Sequence, residues 1–143
     1  MWETPIADGV APEPRFGHSC AWQKGSNRLV FVGGSNGGDL LRDGDDLYGE
    51  VCVLTVLDGA VAGSPPSLSW STPVVHGAVP HGIGGRTHTM VLVGDCMLMF
   101  GGGADVSPAL GMLKLLPVVP GELSSVEWID KNPAVRTQHG LAG

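Results

Sequence analysis

Arg15-Phe16-Gly17-His18-Ser19-Cys20-Ala21-Trp22, a break at Lys24-Gly25-Ser26-Asn27, then Leu29-Val30-Phe31-Val32-Gly33-Gly34 is the stretch that decides the fold. It returns as Arg86-Thr87-His88-Thr89-Met90-Val91-Leu92-Val93, a break at Gly94-Asp95, then Met97-Leu98-Met99-Phe100-Gly101-Gly102. Both copies read Arg, His, strand, tight turn, strand, Gly-Gly. Short runs rich in Val, Leu, Met and Phe, joined by a Gly-containing turn, are the mark of a β-hairpin.

Working outward, the two copies continue in parallel. After the first Gly-Gly comes a long polar loop, Ser35 to Gly49, then the apolar run Glu50-Val51-Cys52-Val53-Leu54, a Pro/Ser/Gly loop and Ser69-Trp70-Ser71. After the second comes a shorter loop, Gly103 to Leu110, then Met112-Leu113-Lys114-Leu115-Leu116 and Val126-Glu127-Trp128-Ile129. Each copy therefore offers four short strands on a constant plan with loops of variable length, an arrangement that marks a binding face in repeat proteins. Trp2-Glu3-Thr4-Pro5 reads as the last strand of a preceding unit, and Arg136-Thr137-Gln138-His139-Gly140 as the opening of a following one. The expected layout is a remnant at 1–5, one unit at 14–72, a second at 85–130 and a new start at 133–143. No window shows helical periodicity free of Gly or Pro; only Ala104 to Leu116 has room for a helical turn or two.

Composition narrows the class. With 23 glycines and 11 prolines in 143 residues, the chain is neither a helical bundle nor, at 43% apolar content, a disordered tail. Eight basic residues against 14 acidic ones leave a net charge of −6, so the cationic footprint of a nucleic-acid or anionic-membrane binder is missing. The first residues carry no basic and apolar leader, and the longest apolar run, Met90 to Phe100, is too short to span a bilayer. An intracellular location, cytoplasmic or nuclear, is the expectation. Cys20, Cys52 and Cys96 are an odd, widely spaced set within apolar stretches, which predicts buried, reduced thiols.

The repeat resembles the kelch family. The residues that carry the resemblance are Arg15, His18, Gly33, Gly34 and Trp70 in one unit, and Arg86, His88, Gly101, Gly102 and Trp128 in the next. Arg136 and His139 repeat the opening pair once more. The resemblance implies an all-β fragment of a kelch-type β-propeller: about two four-stranded antiparallel blades with partial strands at each end. In such a blade the His-bearing strand lies nearest the central channel and the Trp lies on the outermost strand. In the family the third strand usually begins with an acidic residue and carries an aromatic; here Glu50 with Cys52 and Gly111 with Leu113 occupy those places, so the aromatic is missing from both and the acidic residue from the second. The resemblance further implies a protein-interaction scaffold. Its wording around Pro14 to Ser19 is similar to F-box–kelch proteins, which extends the implication to substrate recognition in a ubiquitin-ligase adaptor. A second class is a fragment of a kelch-fold metal-dependent oxidoreductase, and a third is a truncated product without independent function.

Candidate sites divide between structure and recognition. Gly33 to Gly38 invites comparison with phosphate loops, but its spacing fits neither GxGxxG nor GxxxxGK[ST]. Asn36, Asp39, Arg42, Asp43, Asp45 and Asp46 form a polar group in the long loop. The acidic members fail calcium-loop spacing at Leu47 and Tyr48, so the group reads first as a solvated loop and second as the best candidate for contact with a protein or peptide partner. The loops Ile6 to Glu13 and Pro73 to Gly85 would share that face. His18, His88 and His139, with Arg15, Arg86 and Arg136, recur around a ring and so are assigned structural roles, with binding of an acidic peptide by the arginines left as the alternative. His76 and His81 lack a third ligand. A triad can be drawn from Ser19, His88 and Asp95, yet no nucleophile-elbow context supports it. No enzyme activity, metal or cofactor is expected, and exposed blade edges offer a route to self-association.

Overall fold

The computed structural model describes residues 2, 4–36, 50–57, 63–78, 88–101, 110–116 and 123–130. Ten strands follow in chain order: β1 (Ala7–Asp8), β2 (Ser19–Gln23), β3 (Arg28–Val32), β4 (Val51–Leu57), β5 (Ser67–Ser71), β6 (Val74–His76), β7 (Thr89–Val93), β8 (Cys96–Phe100), β9 (Leu110–Leu116) and β10 (Ser125–Asp130). Among the described residues there is no helix, and 110–116, where a helical turn had room, is strand.

The two hairpins seed two sheets. β2 and β3 pair from Ser19 opposite Val32 to Gln23 opposite Arg28, closed by the turn at 24–27. β7 and β8 pair from Thr89 opposite Phe100 to Val93 opposite Cys96, closed by Gly94-Asp95. In each unit the last turn residue then ties the hairpin to its third strand: Asn27 accepts from the Val56 amide and Asp95 from the Leu115 amide, both at 2.8 Å. The sheets have the same order, β1-β5-β4-β3-β2 and β6-β10-β9-β8-β7.

Both sheets carry a fifth strand beyond the expected four. β1 pairs with β5, and β6 with β10, both in parallel, so short pieces of the expected inter-unit loops extend the outer edges. The Trp-bearing strands β5 and β10 are consequently covered on their outer side. A glycine ends each added strand. Gly9 has φ 82° and Gly77 φ 79°, and a Cβ there would lie 2.3 Å from the Trp70 carbonyl oxygen and 2.7 Å from that of Trp128. Only a residue without Cβ admits so close an approach with φ positive.

The sheets stack face to face with inner strands β2 and β7 adjacent. Period-two alternation explains why: β3 buries Arg28, Val30 and Val32 and leaves Leu29 and Phe31 half-buried. Val30, Val32, Val51 and Val53 of the first sheet meet Met97, Met99, Leu113, Leu115, Val126 and Trp128 of the second, with Ala21, Met90 and Leu92 at the margin. Each fully buried side chain of this size contributes roughly 1.5–3 kcal/mol relative to exposure. The packing has a polar cost. Arg28 is buried with Nε and Nη1 unsatisfied, and burial pushes its pKa down. Of the three thiols, all free, Cys52 is buried and Cys96 half-buried, but Cys20 is exposed. This corrects the expectation for Cys20: it sits on the face of the edge strand β2 that points away from the core. Burial, reinforced by Glu50 and opposed by Arg15, pushes the Cys52 thiol up.

Trp2 is fully exposed, and residues 4–6 lie outside the strands.

Candidate functional site

The strand ends at Ser19, Val32, Val51 and Thr89 gather most of the described repeat residues on one edge of the stacked sheets. Phe16 and Ser35 exchange two backbone hydrogen bonds of 2.9 Å, which pull the approach to β2 onto the exit from β3. Gly34 makes that closure possible: a Cβ would meet the His18 Cβ at 3.0 Å and the Phe16 carbonyl oxygen at 3.1 Å. Gly33 donates its amide to the Glu50 carbonyl at 3.0 Å, bringing the start of β4 to the same place.

Arg15 is the hub of this edge. Its Nη1 donates to the Gly33 carbonyl at 3.0 Å and its Nε to the Glu13 carbonyl at 3.2 Å. Its Nη2 lies 2.9 Å from Glu50 Oε2, an ion pair without aligned hydrogen-bond geometry. The Arg15 side chain is buried while Glu50 is half exposed, so the cation is neutralised inside the fold and is not presented to an acidic ligand. Asn36, at the root of the long loop, is exposed and donates to Glu13 Oε2 at 3.5 Å. Asp39, Arg42, Asp43, Asp45 and Asp46 lie outside the described residues, as do His81, Arg86, Gly102, Arg136 and His139.

One contact crosses between the sheets. His88 Nε2 and Ser19 Oγ share a hydrogen bond, and the same hydroxyl lies 3.7 Å from Met90 Sδ. Burial lowers the His88 pKa; the nearby Val32 backbone opposes part of that effect, although Nδ1 has no hydrogen bond of good geometry. The ring therefore serves neutral, as a clasp between β2 and the entry to β7. Ser19 and His88 supply the nucleophile and base of a hydrolase, but among the described residues no carboxylate stands at His88 Nδ1 as a third member. Asp95 sits in the β7–β8 turn, at the opposite end of β7 from His88. Sequence reasoning drew Ser19 and His88 into one triad with Asp95 but set it aside and gave His88 a structural place in the repeat; no spacing within one unit encodes the contact, because it joins two units.

His18 faces the other way. It packs against Phe31 at a ring separation of 5.9 Å, and Phe31 against Trp70 at 5.6 Å, forming an aromatic row on the outer face of the first sheet. Gly101 follows the second hairpin with φ 75°, as Gly33 follows the first at 69°. Trp128, the counterpart of Trp70, is only 4% exposed beneath the first sheet. Cys20, Cys52 and Cys96 do not converge, and among the described residues no group of three His, Cys, Asp or Glu side chains is placed to share a metal ion. No helix among the described residues is long and apolar enough to cross a membrane.

No protein-family profile matches the chain, and no solved structure matches it. Over 104 residues, 71% of its length, the chain is 31% identical to the Rab9 effector protein with kelch motifs of Gallus gallus. The match spans 23% of that protein, so the chain is similar to about a quarter of a larger molecule that carries kelch motifs.

Proposed function

We propose that the two sheets are consecutive blades of a kelch-type β-propeller and that the chain is a protein-interaction scaffold. The observation that carries this reading is the repetition of one sheet order on one chain, with the second sheet stacked against the first. The similarity to a kelch-motif protein supports it independently. Recognition falls to the loops at the Arg15 edge, chiefly 35–49, because a rigid strand scaffold holds such loops in place at little cost to stability. The three free cysteines suit a reducing, intracellular compartment.

An effector role is favoured over a ubiquitin-ligase adaptor, since the similar protein is described as a Rab9 effector and the F-box resemblance has no counterpart in that similarity. Purified Rab9 is therefore the first probe. The expected result is saturable binding that Asp39→Ala, Arg42→Ala and Asp43→Ala together abolish while the melting temperature stays within a degree or so, as for surface changes in general. Binding that survives the triple substitution overturns the loop assignment. No binding of Rab9 at all removes this partner.

A further inference from the structure

On the β7–β8 hairpin the face of the second sheet that turns away from the first is apolar and, among the described residues, open, while the exposed Lys114 and Glu127 pair on the same face further out. Val91, Val93 and Phe100 are 56%, 58% and 55% exposed. Thr89, Met90, Val91, Leu98, Met99 and Phe100 line an open depression of about 270 Å³ on the hairpin.

A filled copy of this depression exists elsewhere in the molecule. Ser19 lies opposite Val32 and Ala21 opposite Val30, just as Thr89 lies opposite Phe100 and Val91 opposite Leu98. On the first sheet this socket is occupied: His88 bonds the Ser19 hydroxyl, and Met90 reaches the same oxygen. Thr89 preserves the hydroxyl. Its Oγ1 makes only a long 3.4 Å bond to the Phe100 carbonyl, which leaves its lone pairs open to an imidazole N–H.

The group that fits the open socket is also on this chain. His18, Cys20, Trp22, Phe31 and Trp70 hold, in the first unit, the places that His88, Met90, Leu92, Met99 and Trp128 hold in the second. The second set enters the filled interface, whereas the first forms an outer face with Cys20 and Trp22 exposed. The chain therefore bears both halves of an interface it already makes once internally, on faces pointing in opposite directions. We infer that a second copy of this chain docks head to tail, its His18, Cys20, Trp22 and Phe31 face on the Thr89, Val91, Leu98 and Phe100 socket, with His18 bonding the Thr89 hydroxyl. Such a contact is heterologous, so it propagates until a ring closes. The inference rests on the two sheets being copies of one unit. It does not depend on what the loops bind.

Light scattering on the full 143-residue chain tests it. The wild type is expected to gain mass with concentration. Trp22→Asp removes the inserting face and Phe100→Asp the socket, so each variant alone is a monomer, with circular dichroism unchanged because both positions are exposed. Mixed in equal amounts, the two variants form a 1:1 dimer, since each retains the half that the other lacks. Loss of one neutral hydrogen bond in His18→Ala weakens the wild-type association about 2- to 10-fold. A wild type that stays monomeric at its highest soluble concentration overturns the inference. So do oligomers that neither substitution dissolves, or variants that remain monomeric on mixing. Any of these outcomes leaves the loop reading standing, because that reading is tested by partner binding alone.

Discussion

The two sheets repeat one plan, yet the same position is core in one and surface in the other. Trp128 is buried under the first sheet, while Trp70, at the matching place, is half-buried on an outer face beside Phe31. The reverse holds on the opposite faces, where Val30 and Val32 are buried and their counterparts Leu98 and Phe100 line an open depression. The difference lies in the neighbour and not in the residue. Each sheet has two faces, and among the described residues only one of each pair is covered by the other sheet.

The comparison breaks first at the tryptophans. Trp128→Ala empties a site closed on all sides and is expected to cost about 3–5 kcal/mol of unfolding free energy. Trp70→Ala gives up a partly wet side chain and one ring contact, so it should cost about half as much or less. Denaturant midpoints at equal slope measure both. Equal losses at the two positions would mean that Trp70 is covered in solution, either by a second copy or by another part of the chain.

A smaller effect separates the two added strands. Alanine at Gly9 or Gly77 meets both a positive φ and a carbonyl oxygen, and each substitution is expected to cost more than about 1 kcal/mol where the strand stays attached. The steric conflict is tighter at Gly9, but β1 makes two residue pairs and β6 three. The weaker strand can detach and so escape the strain. Gly77→Ala should therefore lower global stability more than Gly9→Ala, while Gly9→Ala accelerates amide exchange mainly in β5. A larger global loss at Gly9 contradicts this ordering.

These glycines also show what could and could not be read in advance. The hairpins, the third strands and the Trp strands were legible because Gly-Gly, the turns and the apolar runs are local signals that repeat. β1 and β6 were not, since strands of two and three residues in parallel pairing leave no alternation to count. A signal was present nonetheless: Trp2, Thr4, Pro5, Gly9 and Pro12 recur as Trp70, Thr72, Pro73, Gly77 and Pro80. That spacing equals the one between the Gly-Gly pairs, and it places the added strand inside the repeat. Exposure at Cys20 and the Ser19–His88 clasp are of another kind, because both depend on which face of one sheet meets the other. For the proposed recognition loop, sequence places the candidates at 36–46, and the structure adds the residues at its root: Glu13, Arg15, Gly34, Asn36 and Glu50.

The finest contrast is between the filled socket and the open one, and pH sharpens it. His88 is held neutral by burial, so its folded pKa lies below the value near 6.5 that it has in the unfolded chain. Between those two values the unfolded chain binds the proton and the folded one does not, so stability rises with pH in that window. The His88 contribution is fully present above about pH 6.5 and is lost progressively as pH falls from there to the folded pKa. Wild type should therefore lose melting temperature on going from about pH 7.5 to about pH 5.5. His88→Gln starts from a lower melting temperature because the bond to Ser19 is disturbed, but its decline over the same interval should be shallower. Ser19→Ala separates the two causes: it deletes the hydroxyl yet leaves the imidazole buried, so the pH slope should persist. If wild type and His88→Gln decline in parallel, protonation of His88 is not what loosens the two sheets, and the clasp is a contact of convenience rather than a point of coupling between them.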